Sequence, residues 1–367
     1  MQSLDLTLFR LIPTKIDRCT MLKSFVICSA LLCCGVIFAQ DSELRYGDEV
    51  PPEVEEIYQR GLNWLVENQT EAGGWSGSRS GHGGVGSSGI NGMCIMAFLA
   101  SGEDPNFGKY QKEIAAAVRH LIRGQDAKTG YLPGSMYHHG FAMLGLSEVY
   151  GVLDEERLWE GETDQSKRRT IGEALELAVR CAVTSQKNNQ WGAWRYSPES
   201  TDADTSVSGA VLMGLLAARN AGIKVPDEAM DKSLEYFSRM TTKQGSVGYS
   251  GIGGGGSKNM QAISILVMSI GHRKDAEQYE GLKRQVTGSI QYAGNSYPFY
   301  FRYYMAQALF QSDYDSWKKW NRQTVRQLKD LQSDNGSFKS SHGEAYGTAM
   351  SMLALALNYR FLPIYER

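Results

Sequence analysis

The chain lacks an excess of charge of either sign: 38 Lys and Arg stand against 40 Asp and Glu in 367 residues, a formal net charge of −2. So even a balance excludes the basic face that a nucleic-acid binder needs. Past residue 40, no stretch approaches the roughly eighteen consecutive apolar residues of a membrane-spanning helix. Cysteine is scarce as well. Four of the six, Cys19, Cys28, Cys33 and Cys34, fall in the first 40 residues. Cys94 and Cys181 sit in apolar helical patterns (GMCIMAFL and AVRCAV) and read as small buried hydrophobes. Two cysteines make neither a disulfide framework nor a cysteine-rich zinc site, and no metal or cofactor is expected. Alternating segments long enough for strands are also missing.

What is present begins with an address. From Met21 the chain reads MLKSFVICSALLCCGVIFAQ: one Lys, an apolar run from Phe25 to Phe38, then Ala39 before a polar segment. This is the layout of a secretory signal peptide cleaved after Ala39, with Met21 as the expected start. Leu32 and Cys33 stand where lipoprotein processing wants a small residue, which argues against lipidation. An uncleaved anchor helix is the competing reading, but the apolar run is short for it. The expectation is a periplasmic or secreted protein with a leader over 1–39, a linker over 40–52 and a single domain over 53–367. No transmembrane segment would remain once the leader is removed.

Six copies of one pattern follow at intervals of roughly 40–70 residues. An amphipathic helix ends near a Gln, a Gly-rich loop carries an aromatic residue, and a more apolar helix follows. The first copy reads IYQRGLNWLVENQ, TEAGGW, NGMCIMAFLASG; the third reads ALELAVRCAVTSQ, KNNQWGAWRY, DTSVSGAVLMGLLAARNAG; the fifth is degenerate. Apolar residues such as Ile114, Val118, Leu121 and Ile122 give the first helix of a copy one dry side. The second helix is apolar or small all round, as in Ala210–Ala218 and Met350–Leu357, and is expected to be buried. Alternating half-exposed and buried helices predict an all-α (α/α)6 toroid. A linear solenoid is the alternative, but its end repeats should be polar. Here the last inner helix is as apolar as the middle ones.

Aligning the inner helices puts Gly92, His139, Ser208, Gln261, Arg302 and Thr348 in one column. Four residues earlier stand Ser88, Ser135, Asp204, Ser257, Pro298 and Glu344. Three serines and an aspartate read as helix N-caps, and Pro298 suits a first turn. All six inner helices would then start at one mouth of the ring, where a ligand site is expected.

At these residues the chain resembles the prenyltransferase and squalene-cyclase (terpenoid cyclase) repeat superfamily. The resemblance rests on the Gln69–Trp75 loop, on Gln186 with Trp191 and Trp194, on DADTSVSGAVLMGL, and on the ending NYRFLPIYER, and it spans about residues 50–367. It implies the toroid and a cavity for an apolar or isoprenoid-like ligand. Protein prenyltransferases of this kind hold zinc through Asp, Cys and His; the fourth copy, GGGGSKNMQAI, has no Cys. Cyclases of this kind begin with a D-x-D-D acid, which makes Asp202 and Asp204 the candidate catalytic residues. Matching the first two aspartates puts Asp204 on the acid. Matching the helix entry makes it the last Asp and an N-cap, which the cap column supports. A lone capping carboxylate is ionised at neutral pH and cannot protonate an alkene.

Candidate ligand-binding residues gather around the same mouth. His138 and His139 could serve as acid and base, although neighbours diverge by about 100° on a helix, so a supporting role competes. Trp191, Trp194 and Tyr196 sit in the third loop. Tyr300, Arg302 and Tyr303 belong to SYPFYFRYY, whose rings could stack on a sugar or simply fill the core. His342 and Glu344 form a weak pair in the sixth loop. His82 lies in a Gly-Ser loop that lacks the features of a phosphate site. Two further functions compete with the isoprenoid one. A carbohydrate-active lyase or hydrolase would need paired carboxylates or a Tyr/His/Arg set at the mouth. A non-enzymatic envelope binding module would have a shallow or filled lumen.

Overall fold

The structure is a computed structural model that describes residues 50–77, 87–164, 168–251, 256–288, 290 and 297–365. The leader, most of the linker and His82 lie outside the described residues. In chain order the helices are α1 (Pro52–Glu67), α2 (Ser88–Ala100), α3 (Gln111–Gly124), α4 (Met136–Val149) and the short α5 (Glu155–Leu158). They continue with α6 (Ile171–Lys187), α7 (Thr205–Asn220), α8 (Asp227–Met240), α9 (Lys258–Ile270) and α10 (Tyr279–Thr287). The last are α11 (Pro298–Ser312), α12 (Tyr314–Leu331) and α13 (Glu344–Leu355). No strand occurs among the described residues. Setting aside α5, the helices alternate between an outer and an inner layer, as the repeats predict.

The two layers follow from composition. Outer α3 buries Ile114, Val118, Leu121 and Ile122 and turns Lys112, Glu113 and Arg123 toward solvent. Inner α2 buries every one of its residues, because helices flank it on all sides. Each inner helix packs on the next, and α13 packs on α2, so the ring is closed rather than solenoidal.

Side-chain hooks hold neighbouring repeats in register. Gln69, Gln125, Gln186 and Gln332 each donate through Nε2 to a carbonyl in their own loop and to one in the following outer helix. The second partners are Glu113, Ala174, Ala229 and, closing the ring, Ile57 (2.8–3.0 Å). The loop glycines let the backbones meet. Gly130 has φ +79°, and a Cβ there would lie 2.1 Å from the Leu177 carbonyl oxygen, so both conformation and space demand glycine.

The inner column also has a structural task. Asn91, His139, Ser208 and Thr348 accept from the backbone N–H groups of Trp75, Leu132, Trp194 and Phe338 at 2.9–3.1 Å. This column therefore faces the loops and the outer layer. In the first repeat the bond is made by Asn91, one residue before the expected Gly92.

The lumen is filled. Helices α4 and α11 belong to the second and fifth repeats, on opposite sides of a six-membered ring, yet their rings touch across the axis. Phe141 lies 5.7 Å from Tyr303, and Tyr137 lies 6.0 Å from Tyr300. At the end away from the inner-helix N-termini, the segment 356–365 buries Leu362, Ile364 and Tyr365, and the Tyr365 and Tyr303 hydroxyls bond at 2.8 Å.

Candidate functional site

Above the aromatic fill, a cavity of about 420 Å³ opens at the N-terminal ends of the inner helices. Every inner helix contributes to it. Ile90, Tyr137, Ser206, Asn259, Tyr300 and Tyr346 all line it, each two residues before its member of the aligned column, although in the first repeat the loop is held by Asn91, next to Ile90. Two residues turn a helix by about 200°. Five of these helices, through Asn91, His139, Ser208, Gln261 and Thr348, grip their loops with one face and shape the cavity with another. Tyr196, Tyr249, His138 and His342 complete the aromatic wall.

Asp204 is fully buried and caps α7: its Oδ1 accepts from the Val207 N–H at 2.8 Å and from the Ser206 hydroxyl at 2.6 Å. Its Oδ2 accepts from the Tyr249 hydroxyl at 3.3 Å and faces Arg195 at 4.0 Å. The Tyr249 hydroxyl is also bonded to the Tyr196 hydroxyl at 2.7 Å. Burial pushes the Asp204 carboxyl above its usual range, opposed by the Ser206 and Val207 bonds and by Arg195. Of the expected caps, this is the one that bonds its helix. Ser135 and Ser257 occupy cap positions without such a bond, the Ser135 hydroxyl being drawn to His138 Nδ1 at 2.8 Å. Ser88 lies inside α2 and donates to the Pro133 carbonyl.

The structure brings some of the expected residues together and separates others. His138, Tyr196, Tyr300 and His342 line the cavity. His139 does not: its Nδ1 accepts from Leu132 and its Nε2 meets the Ala178 carbonyl at 3.0 Å. Trp194 is buried with its indole N–H on the Ala182 carbonyl, and Tyr303 belongs to the axial fill. Arg302 lies in the loop-facing column beside Phe299. Trp191 packs against the core from the third loop, and Glu344 accepts from the Ser337 hydroxyl. Asp202 pairs with Arg195 on the surface. Tyr249, Tyr346, Ser206 and Asn259 were missed, although the column two residues back would have pointed to the last three.

The cavity's chemistry is that of neutral donors, acceptors and ring faces. Desolvation pushes the Tyr137 and Tyr300 phenols well above their ordinary range, and burial with the Tyr196 bond does the same to Tyr249. The tyrosines therefore act as neutral hydroxyls, not bases. His138 and His342 add imidazole rings and their nitrogens to this lining. His342 is held by the Ser341 hydroxyl at 3.1 Å and lies between the rings of Tyr297 and Tyr346. No Asp or Glu lines the cavity among the described residues. Residues 78–86, 252–255 and 291–296, outside the described residues, include no Asp or Glu. No group of three His, Cys, Asp or Glu among the described residues is placed to hold a metal ion.

No protein-family model matches the chain, and no curated protein matches its sequence. Among solved structures it is similar to the GH76A α-1,6-mannanase of Salegentibacter sp. HEL1_6. That likeness has 8% identity and a TM-score of 0.56, covering 84% of this chain and 99% of the other. The GH76 α-mannanase of Bacteroides thetaiotaomicron aligns with 12% identity and a TM-score of 0.55 over 84% and 96% of the two chains. A type II terpene cyclase from Scytonema aligns at 13% identity with a TM-score of only 0.32, over 85% and 98%. Likeness at this identity establishes the (α/α)6 toroid and leaves the chemistry to the site.

Proposed function

We propose that this chain is a secreted glycan-binding toroid that holds a neutral saccharide in the mouth formed by its inner-helix N-termini. One observation carries the reading: a cavity of about 420 Å³ walled by tyrosine rings and hydroxyls, histidines, serines and an asparagine, with Ile90, Met93 and Met260 between them and no carboxylate among its described lining. Ring faces stack on the apolar faces of sugars, and uncharged hydroxyls match sugar hydroxyls as both donors and acceptors. The volume lies within the roughly 300–1,000 Å³ of small-molecule pockets. The Salegentibacter mannanase, which shares the toroid, has been solved in complex with α-1,6-mannotriose.

The same lining argues against hydrolysis by paired carboxylates, which needs two of them at the bond. That mannanase is inactive as a variant with two consecutive aspartates replaced by asparagine. Among the described residues no such pair faces the cavity, and Asp204 is occupied as a cap. The isoprenoid reading is weakened by the same cap and by the filled axis, which leaves no deep apolar lumen for a long prenyl chain.

Calorimetric titration with α-1,6-mannose oligosaccharides and with geranylgeraniol tests the proposal. Saturable saccharide binding that weakens at least tenfold in Tyr300→Ala supports it. Binding of the prenyl alcohol alone, or of neither ligand, overturns it.

A further inference from the structure

Tyr196 is shared between two cavities. Beyond it, off the axis, lies a second space of about 730 Å³ between the turn after α3, outer helix α6 and the loop at 197–199. The border is narrow: Ser135 lines the axial cavity, and its neighbour Gly134 lines the outer one. The ridge is fixed at two points. The Tyr196 carbonyl accepts from the Met136 N–H at 2.9 Å, and its hydroxyl is bonded to Tyr249.

The outer cavity is built differently from the inner one. Lys128, Arg180 and Thr184 offer donors, and Asp126 and Glu199 offer acceptors, so two positive charges face two negative ones. Tyr131 contributes a ring, stacked 5.7 Å from His139 and thereby held in place. An anionic ligand would meet Asp126 and Glu199, and an apolar one would strip water from four charges. A neutral polyhydroxy chain can use donors and acceptors alike.

We propose that the outer cavity is a second saccharide subsite, so that the protein takes an oligosaccharide running from the axis, over the Tyr196 ring, to helix α6. This rests on the glycan reading of the axial cavity. The test measures affinities for α-1,6-mannose oligosaccharides of three and six units by calorimetry, in the wild type and in the exposed double variant Arg180→Ala/Thr184→Ala, with melting curves to confirm folding. The expected result is a hexasaccharide bound at least tenfold tighter than the trisaccharide, with that gain reduced below twofold in the variant and trisaccharide affinity unchanged. Equal affinities in the wild type, or a gain that survives in the variant, overturn the outer subsite and leave the axial site standing. If neither oligosaccharide binds, the axial reading fails and the subsite falls with it.

Discussion

His139 tests most sharply whether the inner column serves the fold rather than a ligand. Leu132 N–H must donate to its Nδ1, so the proton of the neutral ring sits on Nε2 and is given to the Ala178 carbonyl. A second ring proton would point at Leu132 N–H and break that bond. Burial is the larger cause holding the imidazole down to about 4, with the Ala178 bond opposing. The folded value lies below the unfolded one, so the unfolded chain binds more protons between pH 6.5 and 4, and stability falls as pH drops through that window. A depression of this size corresponds to on the order of 3 kcal/mol. His139→Gln keeps an acceptor and a donor but cannot titrate. Urea unfolding at pH 7 and pH 4 should therefore show the wild type losing about 3 kcal/mol more than the variant. His139→Leu strands two backbone groups and should cost about 2–5 kcal/mol at pH 7. An equal pH loss in wild type and His139→Gln would refute the assignment.

Other substitutions probe separate features. Gln332→Ala leaves the Ile57 and Gly336 carbonyls without their donor, and chemical denaturation should show a loss of about 2–3 kcal/mol, because this hook closes the ring. Asp204→Ala removes a cap and the partner of Ser206 and Tyr249, for about 2–4 kcal/mol. Asp204→Asn retains a cap oxygen and should melt closer to wild type; identical melting of Asp204→Ala and wild type would dismiss the cap. Glu148 is raised to about 8 by desolvation, against a bond from the Ile364 N–H. Its folded value lies above the unfolded one, so stability should fall as pH rises from about 4.5 to 8, by on the order of 4 kcal/mol, and Glu148→Gln should flatten that slope in pH-dependent melting.

The toroid was legible because both of its layers are written in periodicity. Val118 and Leu121 mark a helix wet on one side, whereas Ala210–Ala218 mark one wet on none. A Gln, glycines and an aromatic residue recurring between the paired helices signalled a repeated junction, and the apolar last helix signalled closure. The N-terminal mouth was legible as well, since six helices following six loops must begin at the same end.

Which face of each inner helix looks inward was decided by the tertiary structure. His138 and His139 are equivalent in sequence, but about 100° of helical turn sends one to the cavity and the other to the outer layer. Trp194 and Tyr300 are both aromatic candidates, but one spends its polar atom on its own outer helix while the other faces the mouth. Contact across the axis between Phe141 and Tyr303 joins residues from opposite repeats, a proximity that depends on the ring's diameter and not on any local pattern. Periodicity determines how helices layer; only closure of the ring determines what remains open at its centre.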